Sequence, residues 1–306
     1  MEKNYMEYIR NFLAGLEPLV PVPAGISPDL RESYSLKAYI FDVYGTLLIS
    51  DSGDVDESVV SSENLRRAMK FSDISVMGNA SSQDRILNTM LEEFVREIKV
   101  FHLQHRTAEK PYPEIDIEHI WETIIMRNHA RGSIQLNGDK CIKCMTFIFE
   151  ILSNPLYPMP GMKEVIKTLH SRNIPLGIVS NAQFYTPVVL NYFLSDRLAE
   201  DDFVDFFDPD LTIFSYKYKR SKPDLFLFQV LATVLEKKYG LQPADVLFVG
   251  NDMQKDVYTG HITGFRTALF AGDTKSLRLR EDIEPVRKTR PDYIITDLRQ
   301  LLTLKH

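Results

Sequence analysis

Cysteine is scarce in this chain, with only Cys141 and Cys144 among 306 residues. A single C-x-x-C lacks the second ligand pair that a tetrahedral zinc site requires. The two thiols are expected to be half-buried helix neighbours rather than a redox centre, because free cysteine commonly packs as a small hydrophobe. With 44% apolar and 25% charged residues, a chain of this length can bury a core without disulfides or structural metals.

An excess of positive charge is also missing, since the formal net charge is −6. This balance argues against a nucleic-acid partner, because polyanions are held by basic surfaces. No stretch approaches the roughly 20 apolar residues of a membrane span, and the N-terminus has no basic region followed by an apolar one. We therefore expect a cytoplasmic protein with a small anionic molecule as its partner, no nucleic acid and no membrane. Assembly into a homodimer is compatible with the sequence.

Hydrophobic spacing divides the chain into three parts. Helical spacing over 5–16, followed by prolines, predicts a helix and an extended arm within residues 1–37. Alternating strands and helices over 38–55 and 153–306 predict a parallel sheet covered on both faces, an α/β Rossmann-like core. Between them, residues 56–152 repeat apolar residues at three and four and show no convincing strand. This pattern predicts a mostly α-helical cap domain inserted after the first strand.

Polar residues follow the predicted strands of the core. The strands are expected at 38–42, 175–180, 211–215, 246–250, 267–270 and 293–295. The polar residues after them or before the next helix are Asp42, then Ser180 and Asn181, then Lys222, and finally Asn251, Asp252 and Asp256. Because parallel strands bring their carboxyl ends to one edge of a sheet, these side chains are expected to share a pocket.

The chemical types of these residues complement one another. A carboxylate at a strand end, such as Asp42, can act as a nucleophile or a metal ligand. Ser180 and the backbone N–H groups of the following helix suit a phosphate. Asp42 together with Asp252 or Asp256 offers the hard oxygen ligands that Mg²⁺ prefers. Lys222 would hold the acids together and offset charge on a transferring group.

Four motifs at these positions resemble those of the haloacid dehalogenase superfamily. They are Asp42-Val43-Tyr44-Gly45-Thr46, Ser180-Asn181, Lys222-Pro223 and the run from Gly250 to Asp256. The resemblance covers about residues 38–300 and implies a Rossmann-like core with a helical cap. It also implies that Asp42 forms a covalent aspartyl intermediate.

The same resemblance assigns the remaining roles. It implies that Lys222 stabilises charge, that Asp256 belongs to the catalytic acids, and that Tyr44, whose hydroxyl can donate a proton, takes the acid–base position. The substrate anion is bound by Thr46, Ser180 and Asn181. Magnesium is anchored by Asp42, the main-chain carbonyl of Tyr44, Asn251 and Asp252.

Two residues depart from the family's phosphatase pattern. Tyr44 stands where phosphatases usually carry an aspartate that protonates the leaving oxygen; a tyrosine, with an ordinary pKa near 10, is a poor base at neutral pH. Asn251 stands where the first acid after glycine is common, although Asp252 restores the charge. The leading hypothesis is a magnesium-dependent phosphatase acting on a small phosphorylated metabolite through an aspartyl-phosphate.

Two alternatives remain. The first is a metal-independent 2-haloacid dehalogenase, which tolerates Tyr44 because a departing halide needs no proton. Such an enzyme also needs a cation to bind the substrate carboxylate, and no single arginine in the sequence identifies itself for that role. The second is a catalytically impaired binding protein of the same fold. Structural roles are also open for single residues: Asp256 could cap the following helix, and His102 and His105 are expected on a solvated helix face.

Overall fold

The computed structural model describes residues 2–50, 61–137, 141–198 and 203–305. Numbered along the chain, the strands of the main sheet are β1 (Ala38–Phe41), β6 (Leu176–Ser180), β7 (Thr212–Phe214), β8 (Val246–Gly250), β9 (Arg266–Phe270) and β10 (Tyr293–Ile295). Within the described ranges they form a six-stranded parallel sheet in the order β10-β9-β8-β1-β6-β7. The predicted α/β fold with a parallel sheet is confirmed.

Strand β1 lies at the centre of this sheet. It pairs with β6 on one side, Tyr39 opposite Leu176, and with β8 on the other, Ala38 opposite Val246. All four residues of β1 are buried, as expected for a strand covered on both faces. The chain order of the strands reverses at β1, and such a switch point leaves a crevice at the carboxyl ends.

Helices and short helical turns connect the strands of the core. The α-helices are α6 (Met162–Ser171), α7 (Tyr185–Ser195), α8 (Ser215–Tyr218), α9 (Phe226–Val234), α10 (Thr259–Ile262) and α11 (Glu284–Arg287). Wider π-helical turns extend α9 over Leu235–Tyr239 and precede α10 over Met253–Tyr258. Short 3₁₀ turns lie at Pro209–Leu211, Pro243–Asp245 and Leu298–Thr303.

The helical region comprises α2 (Ser62–Phe71), α3 (Ala80–His105), α4 (Ile117–Ala130) and α5 (Ile142–Ser153). Trp121 of α4 is fully buried, stacked on Phe94 at 4.6 Å between ring centroids and edge-on to Phe149 at 4.8 Å. Two short strands that the sequence pattern does not indicate also occur here. A two-stranded antiparallel sheet pairs β3 (Ile74–Val76) with β4 (Ile134–Leu136), and three residues are too few to show an alternation in sequence.

Two further short strands, β2 (Leu48–Ser50) and β5 (Leu156–Pro158), pair antiparallel on either side of this region. The predicted boundary at residues 55 and 56 lies outside the described residues. Cys141 is half-buried at the N-terminus of α5, and Cys144 is buried one turn later. No helix in the described ranges is both long and apolar enough to cross a membrane.

The N-terminal segment folds against the core. Helix α1 (Glu2–Ala14) buries Ile9 and Leu13. The arm that follows reaches the edge strand β10, where the backbone of Asp29 exchanges two hydrogen bonds with Ile294, at 2.8 and 3.0 Å. An unpaired strand edge is thereby partly covered.

Candidate active site

A small cavity of about 50 Å³ opens beyond the carboxyl ends of β1, β6 and β8. Its lining residues are mostly charged or amide side chains, and a cavity of this size holds only a few water-sized groups. They are Asp42, Tyr44, Ser50, Asn181, Lys222, Asn251, Asp252, Lys255, Asp256 and Arg278.

Lys222 joins two of the carboxylates at this cavity. Its ammonium nitrogen donates to Asp42 Oδ1 at 2.8 Å and to Asp256 Oδ1 at 2.6 Å, and its side chain is only 2% exposed. Asp256 Oδ2 accepts a further bond from the Asp252 N–H at 3.0 Å. The second oxygen of Asp42 has no hydrogen-bond donor among the described residues. Asp42 is therefore the carboxylate with an uncommitted oxygen at the cavity.

Burial and shared charge shift the protonation of this group. Burial raises the pKa of Asp256 to about 7; the Lys222 charge opposes this rise, and the nearby charges of Asp42 and Asp252 add to it. Burial lowers the pKa of Lys222, but the charges of Asp256 and Asp42 outweigh that effect and place it above the ordinary value. Burial outweighs the Lys222 charge at Asp256, whereas the two carboxylate charges outweigh burial at Lys222.

Asn181 fixes the backbone of Lys222. Its side-chain Oδ1 accepts from the Lys222 N–H at 2.6 Å, and its Nδ2 donates to the Lys222 carbonyl at 3.1 Å. This two-point contact joins the end of β6 to the loop that carries the lysine. Ser180 is fully buried, donates to the Asn181 carbonyl at 3.3 Å and is not among the cavity-lining residues.

Asp252 is held by an arginine and by a helix end. Its Oδ2 accepts two bonds from Arg280, at 3.1 and 2.7 Å, and its Oδ1 accepts the N–H groups of Gln254 and Lys255. Burial raises the pKa of Asp252, but the Arg280 bonds and the helix N–H groups outweigh it and lower the pKa below the ordinary value. Asp252, rather than Asp256, caps the helix.

Asn251 packs against the turn that follows Asp42. Its Oδ1 accepts from Thr46 Oγ at 3.1 Å, and its Nδ2 donates to the Ser276 carbonyl at 2.6 Å. Gly45 has φ +78°, and a β-carbon there would collide with the Asn251 amide and the Ser276 side chain. Glycine is therefore required both for the left-handed backbone and for the close approach of Asn251.

A model of haloacid dehalogenase-like hydrolases matches residues 36–261, a range that contains all four motifs. The chain belongs to the haloacid dehalogenase-like hydrolases. A comparison with curated protein sequences gives no significant match.

Several solved structures are similar to this hydrolase over most of their length. A 2-haloacid dehalogenase from Pseudomonas syringae pv. Tomato DC3000 has a TM-score of 0.52 at 15% identity, over 88% of this chain and 97% of that chain. The putative HAD-hydrolase YfnB from Bacillus subtilis, bound to magnesium, has a TM-score of 0.46 at 18% identity, over 88% and 98%. A predicted phosphoglycolate phosphatase from Haemophilus somnus 129pt has a TM-score of 0.45 at 19% identity, over 88% and 97%.

Tyr44 separates this hydrolase from the family's phosphatase pattern. Its hydroxyl lies 2.6 Å from Thr186 Oγ on α7, and burial raises the pKa of the phenol above its ordinary value. A phenol with a raised pKa stays protonated at neutral pH and loses its proton reluctantly. The side chain is therefore poorly suited to protonate a leaving alkoxide.

The donor atoms at the cavity can be compared with those that Mg²⁺ prefers. Two hard donors are present at the cavity: the uncommitted Asp42 oxygen and the Asn251 amide oxygen, which accepts one hydrogen bond. Asp252 Oδ2 is instead hydrogen-bonded to Arg280. No group of three or more acidic, histidine or cysteine side chains suited to a metal occurs among the described residues. One carboxylate with neutral oxygens fits Mg²⁺, which commonly keeps several waters and binds through one or two carboxylates and a substrate phosphate.

The hydrolase gathers seven of the nine predicted site residues at the cavity. These are Asp42, Tyr44, Asn181, Lys222, Asn251, Asp252 and Asp256. Thr46 and Ser180 are fully buried beside them and are not among the lining residues. His102 and His105 are likewise absent from the lining, and His105 stacks on Phe101 of its own helix.

Sequence reasoning missed the basic residues of the site. Lys255 and Arg278 line the cavity, and Arg280 holds Asp252. Lys255 stands inside the run from Gly250 to Asp256, so its position next to Asp256 could have indicated it. Arg278 and Arg280 lie in a segment without regular structure after β9, where no periodic pattern marks them.

Proposed function

We propose that this hydrolase cleaves a small phosphate monoester through a covalent aspartyl-phosphate on Asp42. One observation carries the proposal: Asp42 presents an uncommitted carboxylate oxygen at the cavity while its other oxygen is held by the buried Lys222. A carboxylate that is fixed on one side and free on the other is oriented for nucleophilic attack.

The first step forms a bond between Asp42 Oδ2 and phosphorus and breaks the bond from phosphorus to the leaving oxygen. Lys222, together with Lys255 and Arg278 at the cavity, offsets the negative charge of the phosphoryl oxygens. Asp256 keeps Lys222 in place through the 2.6 Å bond to its ammonium. The leaving oxygen departs as an anion or takes a proton from water, since Tyr44 retains its own.

The second step transfers the phosphoryl group to water. The water oxygen bonds to phosphorus, the bond from phosphorus to Asp42 breaks, and both water protons leave with the phosphate, so that Asp42 is regenerated as a carboxylate. Magnesium, where bound by Asp42, the Tyr44 carbonyl and Asn251, supplies further positive charge at the phosphoryl oxygens.

Hydrolysis of p-nitrophenyl phosphate tests this proposal, because p-nitrophenolate leaves without a proton donor. We expect phosphate release with Mg²⁺ that is lost with EDTA and with Asp42→Asn. Asp282→Asn, at an exposed aspartate outside the four motifs and not among the cavity-lining residues, is the matched control and is expected to keep full activity. Equal activity in wild type and Asp42→Asn would exclude Asp42 as the nucleophile.

A second candidate, 2-haloacid dehalogenation, is favoured by Tyr44. A departing halide needs no proton, so the reaction does not require the Tyr44 hydroxyl, which is hydrogen-bonded to Thr186. Asp42 would displace halide from carbon to form an ester, which water then hydrolyses, and Lys255 or Arg278 would attract the substrate carboxylate. Absence of chloride release from 2-chloropropionate at high enzyme concentration removes this candidate.

Water labelled with ¹⁸O separates the two chemistries. Water attacks phosphorus in an aspartyl-phosphate, so the label leaves with phosphate, whereas water attacks the carboxyl carbon of an aspartyl ester and leaves the label in Asp42. Mass spectrometry of the peptide that contains Asp42, after turnover in labelled water, distinguishes these results. If neither substrate reacts, the protein is better described as a binding member of the family.

A further inference from the structure

The loop over 273–280, outside the family match, contacts the residues after β8, and the N-terminal arm, also outside the match, contacts this loop. The match ends at residue 261 and begins at residue 36, yet the loop over 273–280 runs beside Asn251 and Asp252. The Arg278 N–H donates to the Asn251 carbonyl at 3.0 Å, and the Met253 N–H donates to the Arg278 carbonyl at 2.8 Å. The loop thus pairs with the backbone of the catalytic motif like a short strand.

The N-terminal arm fixes the start of this loop. Val22 donates its N–H to Asp273 Oδ1 at 2.9 Å, and its carbonyl accepts the Thr274 N–H at 2.7 Å. Asp273 is 1% exposed. Its Oδ2 accepts the N–H of Ser276 at 3.1 Å and the Ser276 hydroxyl at 2.8 Å. The buried carboxylate therefore joins the arm to Ser276.

The contacts continue from Ser276 to the turn that carries the nucleophile. The Ser276 carbonyl accepts the Asn251 amide at 2.6 Å, and the other end of that amide accepts the Thr46 hydroxyl at 3.1 Å. Thr46 lies four residues after Asp42, and Gly45 packs directly on Asn251 and Ser276. A series of hydrogen bonds runs from the arm to the Asp42 turn; it is partly buried at Val22 and buried from Asp273 onward.

We propose that Asp273 and the Val22 backbone are positioning groups of the active site. Through them, the N-terminal arm orients Asn251 at the catalytic cavity. Where the arm releases Asp273, Ser276 loses its orientation, and Asn251 loses the carbonyl that sets its amide. The effect on turnover rests on the proposed function, but the effect on the order of the Asn251 segment does not.

Single substitutions test this better than truncation, since removing α1 deletes the buried Ile9 and Leu13, uncovers the core residues they pack on and destabilises the whole fold. Val22→Pro deletes the N–H donor and keeps the carbonyl. Because Val22 precedes Pro23, its backbone is already biased to an extended conformation that suits proline. Val22→Ala keeps the donor. Val20→Pro is the matched proline control, because Val20 also precedes a proline and is 80% exposed.

Amide hydrogen exchange is the primary readout. We expect Val22→Pro and Asp273→Asn to accelerate exchange about tenfold in peptides covering 43–48 and 250–257, on the scale of one lost buried hydrogen bond. Val22→Ala and Val20→Pro should leave those peptides unchanged. Acceleration confined to 16–30 and 272–278 would overturn the proposal. If Val22→Pro fails to fold, Asp273→Asn on the same peptides decides.

Turnover is the second readout. With p-nitrophenyl phosphate, kcat should fall about tenfold in Val22→Pro and Asp273→Asn while KM changes little, because neither variant replaces a cavity-lining side chain. A wild-type protein without turnover would refute the proposed function and leave the exchange result to decide the positioning role. Unchanged kcat together with unchanged exchange overturns the inference.

Discussion

The ammonium of Lys222 lies 2.8 Å from the carboxylate of Asp42, which is 180 positions away in the chain. The same ammonium contacts Asp256, so its removal leaves two buried carboxylates without their cation. We expect Lys222→Met to lower the free energy of unfolding by about 3–5 kcal/mol at pH 8. Urea denaturation measures this change.

The loss should be smaller at pH 5. Without Lys222, the pKa of the folded Asp256, already raised to about 7, rises further above its unfolded value. An acid with a raised folded pKa contributes stability at low pH and loses it as pH rises through that pKa. Lys219→Met, which breaks an exposed pair with Asp116, is the control and should change little. An equal loss for Lys222→Met at both pH values would contradict this account.

Arg280 is expected to limit the affinity of the site for Mg²⁺. Its two bonds to Asp252 neutralise a carboxylate next to Asn251. Arg280→Gln removes one positive charge and frees Asp252, so the site gains an acidic donor that attracts a divalent cation. The Mg²⁺ concentration for half-maximal binding, measured by calorimetry, should therefore fall about tenfold or more.

Arg287→Gln is the matched control for that measurement. Arg287 pairs with Glu284 at the surface, 60% and 64% exposed, and its loss changes the net charge of the protein by the same amount. Mg²⁺ binding should respond to Arg280→Gln and not to Arg287→Gln. A similar response to both would mean that overall charge, and not the release of Asp252, sets the affinity.

The sequence was sufficient to predict the sheet and most of the cavity, because both follow from local patterns. Buried parallel strands such as β8 are continuous apolar runs, and the residue that follows each one is delivered to the same edge of the sheet. Asp42, Lys222 and Asp256 were therefore predicted together although they are distant in sequence.

The partners of these residues could not be predicted in the same way. Asp273 and Arg280 lie in irregular structure, where no periodicity constrains a side chain, and their roles depend on how a loop of the core meets the N-terminal arm. The small β3–β4 sheet was missed because each strand has three residues. The availability of Asp252 Oδ2 to a metal depends on its bonds from Arg280, a contact across 28 residues that no motif encodes.

The hydroxyl of Tyr44 is expected to contribute to stability and not to catalysis. Tyr44→Phe removes one hydrogen bond to Thr186 and should cost about 1 kcal/mol of stability, while the kcat for p-nitrophenyl phosphate changes less than about threefold. Thr186→Val should cost more, because Thr186 Oγ also accepts the Gln183 N–H at 3.2 Å. The double variant measures the coupling between the two hydroxyls. A drop of a hundredfold or more in kcat for Tyr44→Phe alone would instead assign the phenol a catalytic role.

Glu150 on α5 should give the protein a distinct dependence of stability on pH. Its carboxylate interacts electrostatically with Tyr44 and Tyr185, and the indole N–H of Trp121 lies 3.4 Å from its Oε1. Burial raises the pKa of Glu150 from 4.5 to about 7, opposed by the Trp121 hydrogen bond. The folded state thus holds the proton more tightly than the unfolded chain. The associated stability is present below pH 4.5 and is lost as pH rises through 7, on the order of 3 kcal/mol in total.

Glu150→Gln isolates this contribution, because glutamine has the same shape and no charge to bury. We expect the variant to match wild type near pH 4.5 and to exceed it at pH 8, where wild type must either ionise Glu150 in an apolar setting or unfold. Urea denaturation at the two pH values measures the difference. Glu122→Gln on α4, an exposed position, should show no such divergence. If Glu150→Gln were less stable than wild type at pH 8, the Glu150 carboxylate would have to be stabilised as an anion, by a cation or donor near Tyr44 and Tyr185.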